Sequence, residues 1–319
     1  MNIAMIMCHK NPSQVIRLVR KISTSFTDVV IHADSNMSES DMAKLRSFSE
    51  KSDGVYIASK RYHGVLDRRV LVDIVLAMIE KAKEVEKTEQ KHYQYYVLLS
   101  GQDYPIIDIK QIESNLHESY PQPYIDVTPY DRTNWVFNKF SMNQGAFFFH
   151  TYIRDNMKGI PRKIARVVAI GYQMVTDLLK KHPYKKLNQL GVELYGGSAW
   201  WILPDKVIDY IMDEVSADKE YISVLLNDTI TPEETFFQIM AMRSTLKDMI
   251  VPNPVDMVLQ NCKTYAYFFS DSKEFMGHPH VFTMDDTKLL AKKVEEGFWF
   301  ARKFDSTIDD DILDYLDAH

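Results

Sequence analysis

The sequence predicts an α/β fold with a mostly parallel central sheet flanked by helices. Two observations support this fold class: short apolar, β-prone runs alternate with amphipathic helical patterns over residues 1–105, and polar clusters follow several of the runs. The chain has 319 residues, of which 45% are hydrophobic and 26% are charged, so it can bury a large core. We therefore expect one domain over residues 1–319, made of two halves at 1–105 and 106–319.

The first half is predicted to contain four strands and two helices. Strands are expected at residues 3–8, 28–33, 54–59 and 94–100, because these runs are apolar and bounded by turn residues. Asn11-Pro12 is typical of a helix cap followed by a first-turn proline. A second, amphipathic helix has its apolar positions at Leu71, Ile74, Val75, Met78, Ile79 and Ala82. The order β-α-β-β-α-β favours parallel strands joined by right-handed crossovers.

The second half has less regular patterns. They predict a strand at 123–128, a long helix at 162–181, a strand-like run at 198–203 and a helix after Pro204. A further helix is expected to begin near Thr231, with Thr231 as its cap, Pro232 in the first position and Glu234 in the third.

The bulk properties exclude several classes of protein. A formal net charge of -6 and a pI near 5.9 argue against a general nucleic-acid binder, which needs a basic face. Cys8 and Cys262 cannot form a disulfide framework and fit no metal-binding spacing, so a reducing compartment is expected. No apolar run approaches the roughly 18 residues that a membrane span needs. We therefore expect a soluble or peripheral protein.

One stretch, residues 158–186, departs from the acidic background. It contains one acid, Asp177, and eight basic residues: Lys158, Arg162, Lys163, Arg166, Lys180, Lys181, Lys185 and Lys186. The stretch fits a solvated helix with charged ends. It also fits a surface that meets anionic lipid or a polyphosphate-linked acceptor.

Polar clusters at the ends of predicted elements are the candidate functional sites. The chain lacks the glycine-rich dinucleotide and P-loop motifs, the H-E-x-x-H zinc motif and the G-x-S-x-G elbow. The clusters that remain are His9-Lys10-Asn11, His32-Ala33-Asp34, His63-Gly64, Ser100-Gly101-Gln102-Asp103, Gly196-Gly197-Ser198, Glu233-Glu234 and Arg302-Lys303.

Taken in order, these clusters resemble the successive signatures of the core-2/I-branching N-acetylglucosaminyltransferases and peptide O-xylosyltransferases. The resemblance extends over nearly the whole chain. Its most specific strings are Ser100-Gly101-Gln102-Asp103-Tyr104-Pro105 and Phe300-Ala301-Arg302-Lys303-Phe304-Asp305, supported by Tyr195-Gly196-Gly197-Ser198-Ala199-Trp200-Trp201 and Thr231-Pro232-Glu233-Glu234-Thr235-Phe236-Phe237.

The resemblance implies a GT-A-like fold with a Rossmann-like sheet, in which residues 1–105 bind the nucleotide and 106–319 bind the acceptor and carry the catalytic base. It implies Glu234 as that base. The residues that it places at the UDP-sugar are His9, Asp34, His63, Ser100, Arg302 and Lys303, although His63 stands where the family usually has an aromatic. The second diphosphate-binding residue is expected among His278, His280 and Arg302. Arg132, Trp200 and Tyr267 are the expected acceptor contacts.

The implied activity is inverting transfer of a sugar, with GlcNAc expected, from a UDP-sugar to a glycan or lipid-linked saccharide during surface polysaccharide or glycoconjugate synthesis. The resemblance also implies that no cofactor or divalent metal is needed, and a single Asp103 stands where many nucleotide-sugar transferases have Asp-x-Asp. The resemblance further suggests a bacterial, cytoplasmic version of the family. If residues 158–186 meet anionic lipid, the protein would be peripheral at the inner face of the membrane, and its net charge argues against a nucleic-acid partner.

Two other functional classes are considered. The first is a non-catalytic nucleotide-sugar or glycan-binding protein. The second is a metal-dependent transferase that uses Asp285-Asp286 or Asp309-Asp310-Asp311.

Several candidate residues also have purely structural interpretations. Glu234 could close a capping box with Thr231, and Lys303 could be a lysine that snorkels beside aromatic residues. Asp103 could brace the Ser100-Gly101 turn. Trp200 and Trp201 should point to opposite faces if their segment is a strand, with one of them in the core.

Overall fold

The computed structural model describes residues 1–23, 28–65, 68–142, 144–179, 182–253, 261–267 and 279–318. The strands are β1 Asn2–Cys8, β2 Asp28–Ala33, β3 Val55–Ile57, β4 Tyr95–Ser100, β5 Asp103–Pro105, β6 Tyr124–Ile125, β7 Thr128–Pro129, β8 Tyr195–Gly196, β9 Trp201–Pro204, β10 Thr264–Ala266 and β11 Phe300–Arg302. The helices are α1 Pro12–Ile22, α2 Glu39–Ser49, α3 Val70–Glu89, α4 Ile109–Ser119, α5 Val136–Phe140, α6 Gln144–Asn156, α7 Gly159–Leu179, α8 Pro183–Gln189, α9 Asp205–Ser216, α10 Glu220–Asn227, α11 Phe236–Arg243, α12 Thr287–Glu295 and α13 Asp311–Ala318.

A six-stranded sheet forms the centre of the fold, in the order β3-β2-β1-β4-β9-β6. Strands β1 to β4 are parallel, and β9 pairs antiparallel with both β4 and β6. Helices cover both faces. Along β1, Ile3 and Met5 pack into one hydrophobic cluster while Ala4 and Ile6 pack into the other. This two-sided burial explains the continuous apolar runs in the sequence, and the predicted α/β fold class is confirmed.

The sequence missed helix α2, so the first half has the order β-α-β-α-β-α-β. Ser38 caps this helix by accepting a hydrogen bond from the Asp41 amide at 3.2 Å. Only Met42 and Leu45 are buried along it. With so few buried apolar residues, the helix has only a weak helical periodicity in the sequence. The Ser38-x-x-Asp41 pattern, in contrast, could have indicated where the helix begins. The third predicted strand is also shorter than expected, since β3 covers only Val55–Ile57.

The two halves of the chain share their sheets. Strands β6 and β9, from the second half, extend the central sheet beyond β4. In a second sheet, ordered β10-β11-β5, β5 pairs antiparallel with β11 near the C-terminus. The buried amide of Gln14 in α1 donates to the carbonyls of Gly101 and Phe304 at 2.9 and 3.0 Å. These contacts hold the C-terminal segment against the carboxyl edge of the central sheet.

Candidate active site

Asp34 follows β2 at the carboxyl edge of the sheet and organises the loop that contains His63. Its carboxylate accepts hydrogen bonds from the amides of Asn36 at 2.8 Å and Gly64 at 2.7 Å, and lies 3.1 Å from Nδ1 of His63. Burial opposes ionisation, but these hydrogen bonds hold the pKa of Asp34 below its ordinary value. Asp34 and His63 are therefore in direct contact, and the half-exposed imidazole borders the same edge.

His9 is exposed at the end of β1 and lies within the electrostatic field of the other candidates. Burial of its ring and the neighbouring charge of Lys10 lower its pKa, an effect that Asp34 opposes and that Lys303 and Arg302 reinforce. Backbone hydrogen bonds bring the strand ends together: the Asp34 amide donates to the Cys8 carbonyl at 2.8 Å, and the Gly101 amide donates to the Met7 carbonyl at 2.8 Å. The Phe304 amide, just after β11, donates to the Gln102 carbonyl at 2.8 Å. The residues predicted to contact the UDP-sugar thus cluster around this edge.

The turn after β4 is braced by Asp103. This fully buried carboxylate accepts hydrogen bonds from the Ser100 amide and the Ser100 hydroxyl, both at 2.8 Å. Burial raises the pKa of Asp103, while the guanidinium of Arg302 opposes the rise. The bracing role is confirmed, and the Ser100 hydroxyl takes part in the same turn. Gly101 is required here because a Cβ atom would lie 2.7 Å from the side chain of Val15.

Arg302 lies between Asp103 and Trp200. Its Nε is 3.6 Å from Asp103, too long for a hydrogen bond, and its guanidinium carbon lies 4.0 Å above the Trp200 ring. Pairing of β11 with β5 places Arg302 directly opposite Asp103. The arginine therefore offsets a buried carboxylate and stacks on a predicted acceptor-binding tryptophan.

Lys303 is half-buried, and no acid among the described residues lies within ion-pair distance of its ammonium. Burial lowers its pKa, and the nearby positive charges of Arg302 and Lys10 lower it further. Lys10 differs, because its ammonium is paired with Asp305 at 2.7 Å. The backbone on either side is fixed: the Lys303 amide donates to His280 at 3.0 Å and its carbonyl accepts from Phe282 at 2.8 Å. A dehydrated cation among other cations is suited to binding an anion.

Glu234 ends a short 3-10 turn, Pro232–Glu234, and forms no capping box. The Thr231 hydroxyl donates to the Ile230 carbonyl at 2.7 Å, and helix α11 begins only at Phe236. A helical turn does begin at Pro232 with Thr231 in the cap position, as expected, but it is a 3-10 turn, and the Thr231 side chain makes no capping hydrogen bond. The Glu234 carboxylate instead lies 2.6 Å from Nζ of Lys139.

Sequence reasoning missed Lys139. It belongs to the short helix α5, with its ammonium 5.6 Å from the centre of the Trp135 ring, and no sequence motif links it to Glu234. Among the described residues, Lys139 is the only side-chain partner of the Glu234 carboxylate. Glu233, in contrast, is buried.

The Gly196-Gly197-Ser198 segment connects Glu234 to the cationic region. The Gly197 amide donates to the Glu234 carbonyl at 2.9 Å, and Gln238 donates to the Ser198 carbonyl at 2.6 Å. A Cβ atom on Gly197 would lie 1.8 Å from the Asp126 carbonyl oxygen, so only glycine fits. Trp200 follows three residues later and meets Arg302.

The other acceptor candidates differ in their burial and contacts. Trp201 is fully buried and Trp200 is only partly buried, as expected for opposite faces of a strand. Tyr267 stacks against Tyr265 with ring centres 6.4 Å apart, and its carbonyl accepts from the His280 amide at 2.7 Å. Arg132 is exposed in the loop before α5. His278 lies outside the described residues.

Two of the acids proposed for a metal site, Asp286 and Asp309, have structural partners. Asp286 accepts from the Thr283 amide at 2.8 Å and contacts His280 at 3.0 Å, while Asp309 accepts from the Met284 amide at 2.9 Å. In the part of the chain that the structure describes, no three His, Cys, Asp or Glu side chains are grouped so that they could hold a metal ion.

Comparison with known protein families identifies the family of the chain. The family model described as "Branch: Core-2/I-Branching enzyme" matches residues 4–288. The chain belongs to the Core-2/I-Branching enzyme family. This assignment confirms the resemblance predicted from the ordered motifs.

Individual relatives of this Core-2/I-Branching family member are distant. It is similar to Xylosyltransferase sqv-6 of Caenorhabditis briggsae, with 23% identity over 96% of this chain and 35% of the relative. It is also similar to a Danio rerio beta-1,3-galactosyl-O-glycosyl-glycoprotein beta-1,6-N-acetylglucosaminyltransferase 4, with 21% identity over 98% of this chain and 68% of the relative. The chain thus spans about a third of the first relative's length. A solved Bacillus anthracis structure described as a glucose-1-phosphate thymidylyltransferase shares 12% identity at a TM-score of 0.31, covering 70% of this chain and 81% of its own.

Proposed function

We propose that this Core-2/I-Branching family member is an inverting glycosyltransferase that moves a sugar, GlcNAc, from a UDP-sugar to a glycan acceptor without a divalent metal. The observation that carries the proposal is the half-buried ammonium of Lys303, which has no described ion-pair partner and lies beside Arg302 at the carboxyl edge of the sheet. Ligands of open α/β sheets bind at this edge. The diphosphate of a UDP-sugar supplies the anion that such a cation favours.

In this mechanism, Glu234 is the general base. It removes the proton from an acceptor hydroxyl as that oxygen attacks the anomeric carbon, and the bond from this carbon to the UDP oxygen breaks on the opposite face. The charge that develops on the departing diphosphate is stabilised by Lys303, with Arg302 beside it. Lys139, 2.6 Å from the Glu234 carboxylate, orients the base.

The acceptor in this proposal is a glycan or a lipid-linked saccharide used in surface polysaccharide or glycoconjugate synthesis. Trp200 supplies a partly buried aromatic surface beside Arg302, and aromatic faces are suited to stacking against sugars. The named activities of the relatives direct the choice of donors to test, since one is a xylosyltransferase and the other an N-acetylglucosaminyltransferase.

The decisive experiment measures UDP release from UDP-GlcNAc, UDP-xylose and other UDP-sugars with a panel of glycan acceptors. Glu234→Gln keeps the side-chain shape and should lower kcat by about 100- to 10,000-fold, the usual contribution of a general base. UDP binding, followed by thermal shift, should persist. Glu295→Gln, an exposed glutamate at the end of α12, is the matched control and should leave turnover unchanged.

Different outcomes separate the alternatives. Wild-type turnover in the Glu234→Gln variant would remove Glu234 as the base. UDP binding with no consumption of any donor would favour a non-catalytic nucleotide-sugar or glycan-binding protein. Loss of transfer in excess chelator, with recovery on added manganese, would refute metal independence but retain the transferase assignment.

A further inference from the structure

Helix α7 turns its apolar side away from the protein. The residues on this side recur at intervals of three and four and are largely exposed, with Val167 at 69%, Met174 at 67% and Leu178 at 82%. We define the α7 face as Ile160, Ile164, Val167, Val168, Gly171, Met174, Val175 and Leu178. Single exposed apolar residues are ordinary on protein surfaces, whereas a continuous helical stripe of them marks an interaction site.

The opposite side of α7 packs against α6 through small and polar residues, with Tyr172 beside them, its ring centre 5.9 Å from that of Phe149. Ala169 and Thr176 are buried, and Gln173 lies 3.1 Å from His150 of α6. Arg162 lies two turns before Ala169 on the same side, and its Nε is buried with no hydrogen-bond partner among the described residues. A helix that packs on a water-soluble protein normally buries its apolar side, so this orientation is the reverse of the usual one.

Positive charge borders the α7 face. Lys158 is exposed just before the helix, Lys163 and Arg166 are exposed in its first turns, and Lys185 is exposed just beyond it. On a helical projection, Lys163 and Arg166 lie along one margin of the apolar stripe. An exposed apolar stripe with lysine and arginine at its margin is the pattern of a helix that lies in the plane of a membrane surface.

We propose that the α7 face inserts into the headgroup region of a bilayer that contains anionic lipid. The apolar side chains would enter the boundary of the acyl chains, and the basic side chains would contact lipid phosphates. The polar inward side would remain on the protein. No helix of the described residues is long and apolar enough to cross a bilayer.

A second copy of the chain is a poorer occupant of this face. Lys158, Lys163, Arg166 and Lys185 are exposed around this face, so two such faces in a symmetric pair would bring like charges together. Anionic lipid has the complementary charge. Since the whole chain has a net charge of -6, the residues outside the basic 158–186 stretch are strongly acidic in sum. Anionic lipid repels that acidic remainder and attracts the basic stretch, so the basic stretch should face the bilayer.

The root of the hairpin formed by α6 and α7 lies close to the proposed base. The amide of Gln144, the first residue of α6, donates to the Asp228 carbonyl at 3.0 Å, and its side chain donates to the Thr229 carbonyl at 3.1 Å. The turn that contains Glu234 follows a few residues later. If the proposed function holds, a membrane-held acceptor would reach Glu234 from this side, but lipid binding itself does not depend on that function.

The test is sedimentation of the full chain with vesicles of pure phosphatidylcholine and of phosphatidylcholine mixed with phosphatidylglycerol. The wild type should bind the mixed vesicles and not the neutral ones, and salt should weaken binding. Val167→Gln combined with Met174→Gln should reduce binding at least ten-fold. Lys163→Gln combined with Arg166→Gln should reduce it about thirty-fold, from the usual gain per basic residue near an anionic surface.

Matched controls alter exposed residues elsewhere. Val251→Gln combined with Ile308→Gln, and Lys247→Gln combined with Lys288→Gln, should leave vesicle binding unchanged. Thermal midpoints of all variants should equal that of the wild type, because the altered side chains are exposed. Absence of wild-type binding to the mixed vesicles, or wild-type binding by the Val167 and Met174 variant, would overturn the proposal. Analytical ultracentrifugation without lipid provides one more test. A wild-type protein that is dimeric, together with a Val167 and Met174 variant that is monomeric, would overturn the proposal in favour of a second copy of the chain.

Discussion

Replacing Lys303 by Met tests whether an anion occupies the cationic edge of the sheet. Met preserves most of the length and apolar contacts of the side chain and removes only the charge. Since the Lys303 ammonium has no described ion-pair partner, its removal leaves no buried acid unpaired. We therefore expect the variant to fold normally, with a thermal midpoint at or slightly above that of the wild type.

The expected effect on UDP affinity follows from this environment. A hydrogen bond between a charged amine and a phosphate contributes about 1.5–3 kcal/mol. The half-buried position of Lys303 reduces solvent screening, which places the loss within this range, or about ten- to one-hundred-fold in Kd. Isothermal titration calorimetry with UDP at neutral pH measures it directly.

The affinity should also depend on pH in a defined direction. The pKa of free Lys303 is lowered by burial and by neighbouring cations, and UDP favours the charged amine. Wild-type affinity should therefore be constant below this lowered pKa and fall as the pH rises through it. The terminal phosphate of UDP is already ionised above about pH 7, so it adds no slope there. The Lys303→Met variant should lack this decline.

Lys10→Met provides the comparison. It removes a neighbouring positive charge that is already paired with Asp305. Because Asp305 loses its partner, this variant should be less stable than the wild type, whereas its affinity for UDP should change little. A Lys303→Met variant that folds normally and binds UDP within two-fold of the wild type would refute the assignment of Lys303 to the diphosphate.

Two further predictions concern stability. Burial lowers the pKa of His32 to about 4, so the stability that its neutral ring contributes is present above pH 6.5 and is lost as the pH falls through 4. In urea unfolding, the wild type should therefore lose about 3 kcal/mol more stability between pH 7 and pH 4 than the His32→Gln variant does. Equal losses in the two proteins would contradict this prediction. Gly197→Ala should destabilise by at least about 3 kcal/mol in the same assay, because its Cβ would lie 1.8 Å from the Asp126 carbonyl oxygen. The control is Gly171→Ala, where an added Cβ atom on the helix would have no atom within 4 Å, and it should stabilise the protein by about 0.5–1 kcal/mol. A Gly197→Ala protein as stable as the wild type would show that the backbone segments of Gly197 and Asp126 can move apart.

Local sequence patterns were sufficient to predict the strands, helix starts and turns that depend on residues close together in the sequence. Strand β2 was predicted with its observed bounds, and α1 begins where Asn11-Pro12 indicated. The Ser100–Asp103 turn was also predictable, because a carboxylate three residues from the amide that it binds gives a recognisable pattern. The alternative capping box at Thr231 does not form, because the Thr231 hydroxyl donates to the Ile230 carbonyl and the Glu234 carboxylate pairs with Lys139, which is distant in sequence.

The sequence by itself determined the fold class, the family motifs and the basic character of residues 158–186. Only the tertiary structure showed that Glu234 pairs with Lys139, that Arg302 lies between Asp103 and Trp200, and that α7 exposes its apolar side. The physical reason is the range of the interactions. Periodicity and turn chemistry depend on neighbours within a few residues, whereas these partners meet only after the sheets bring distant segments together, and helical periodicity does not specify which side of a helix the fold will cover.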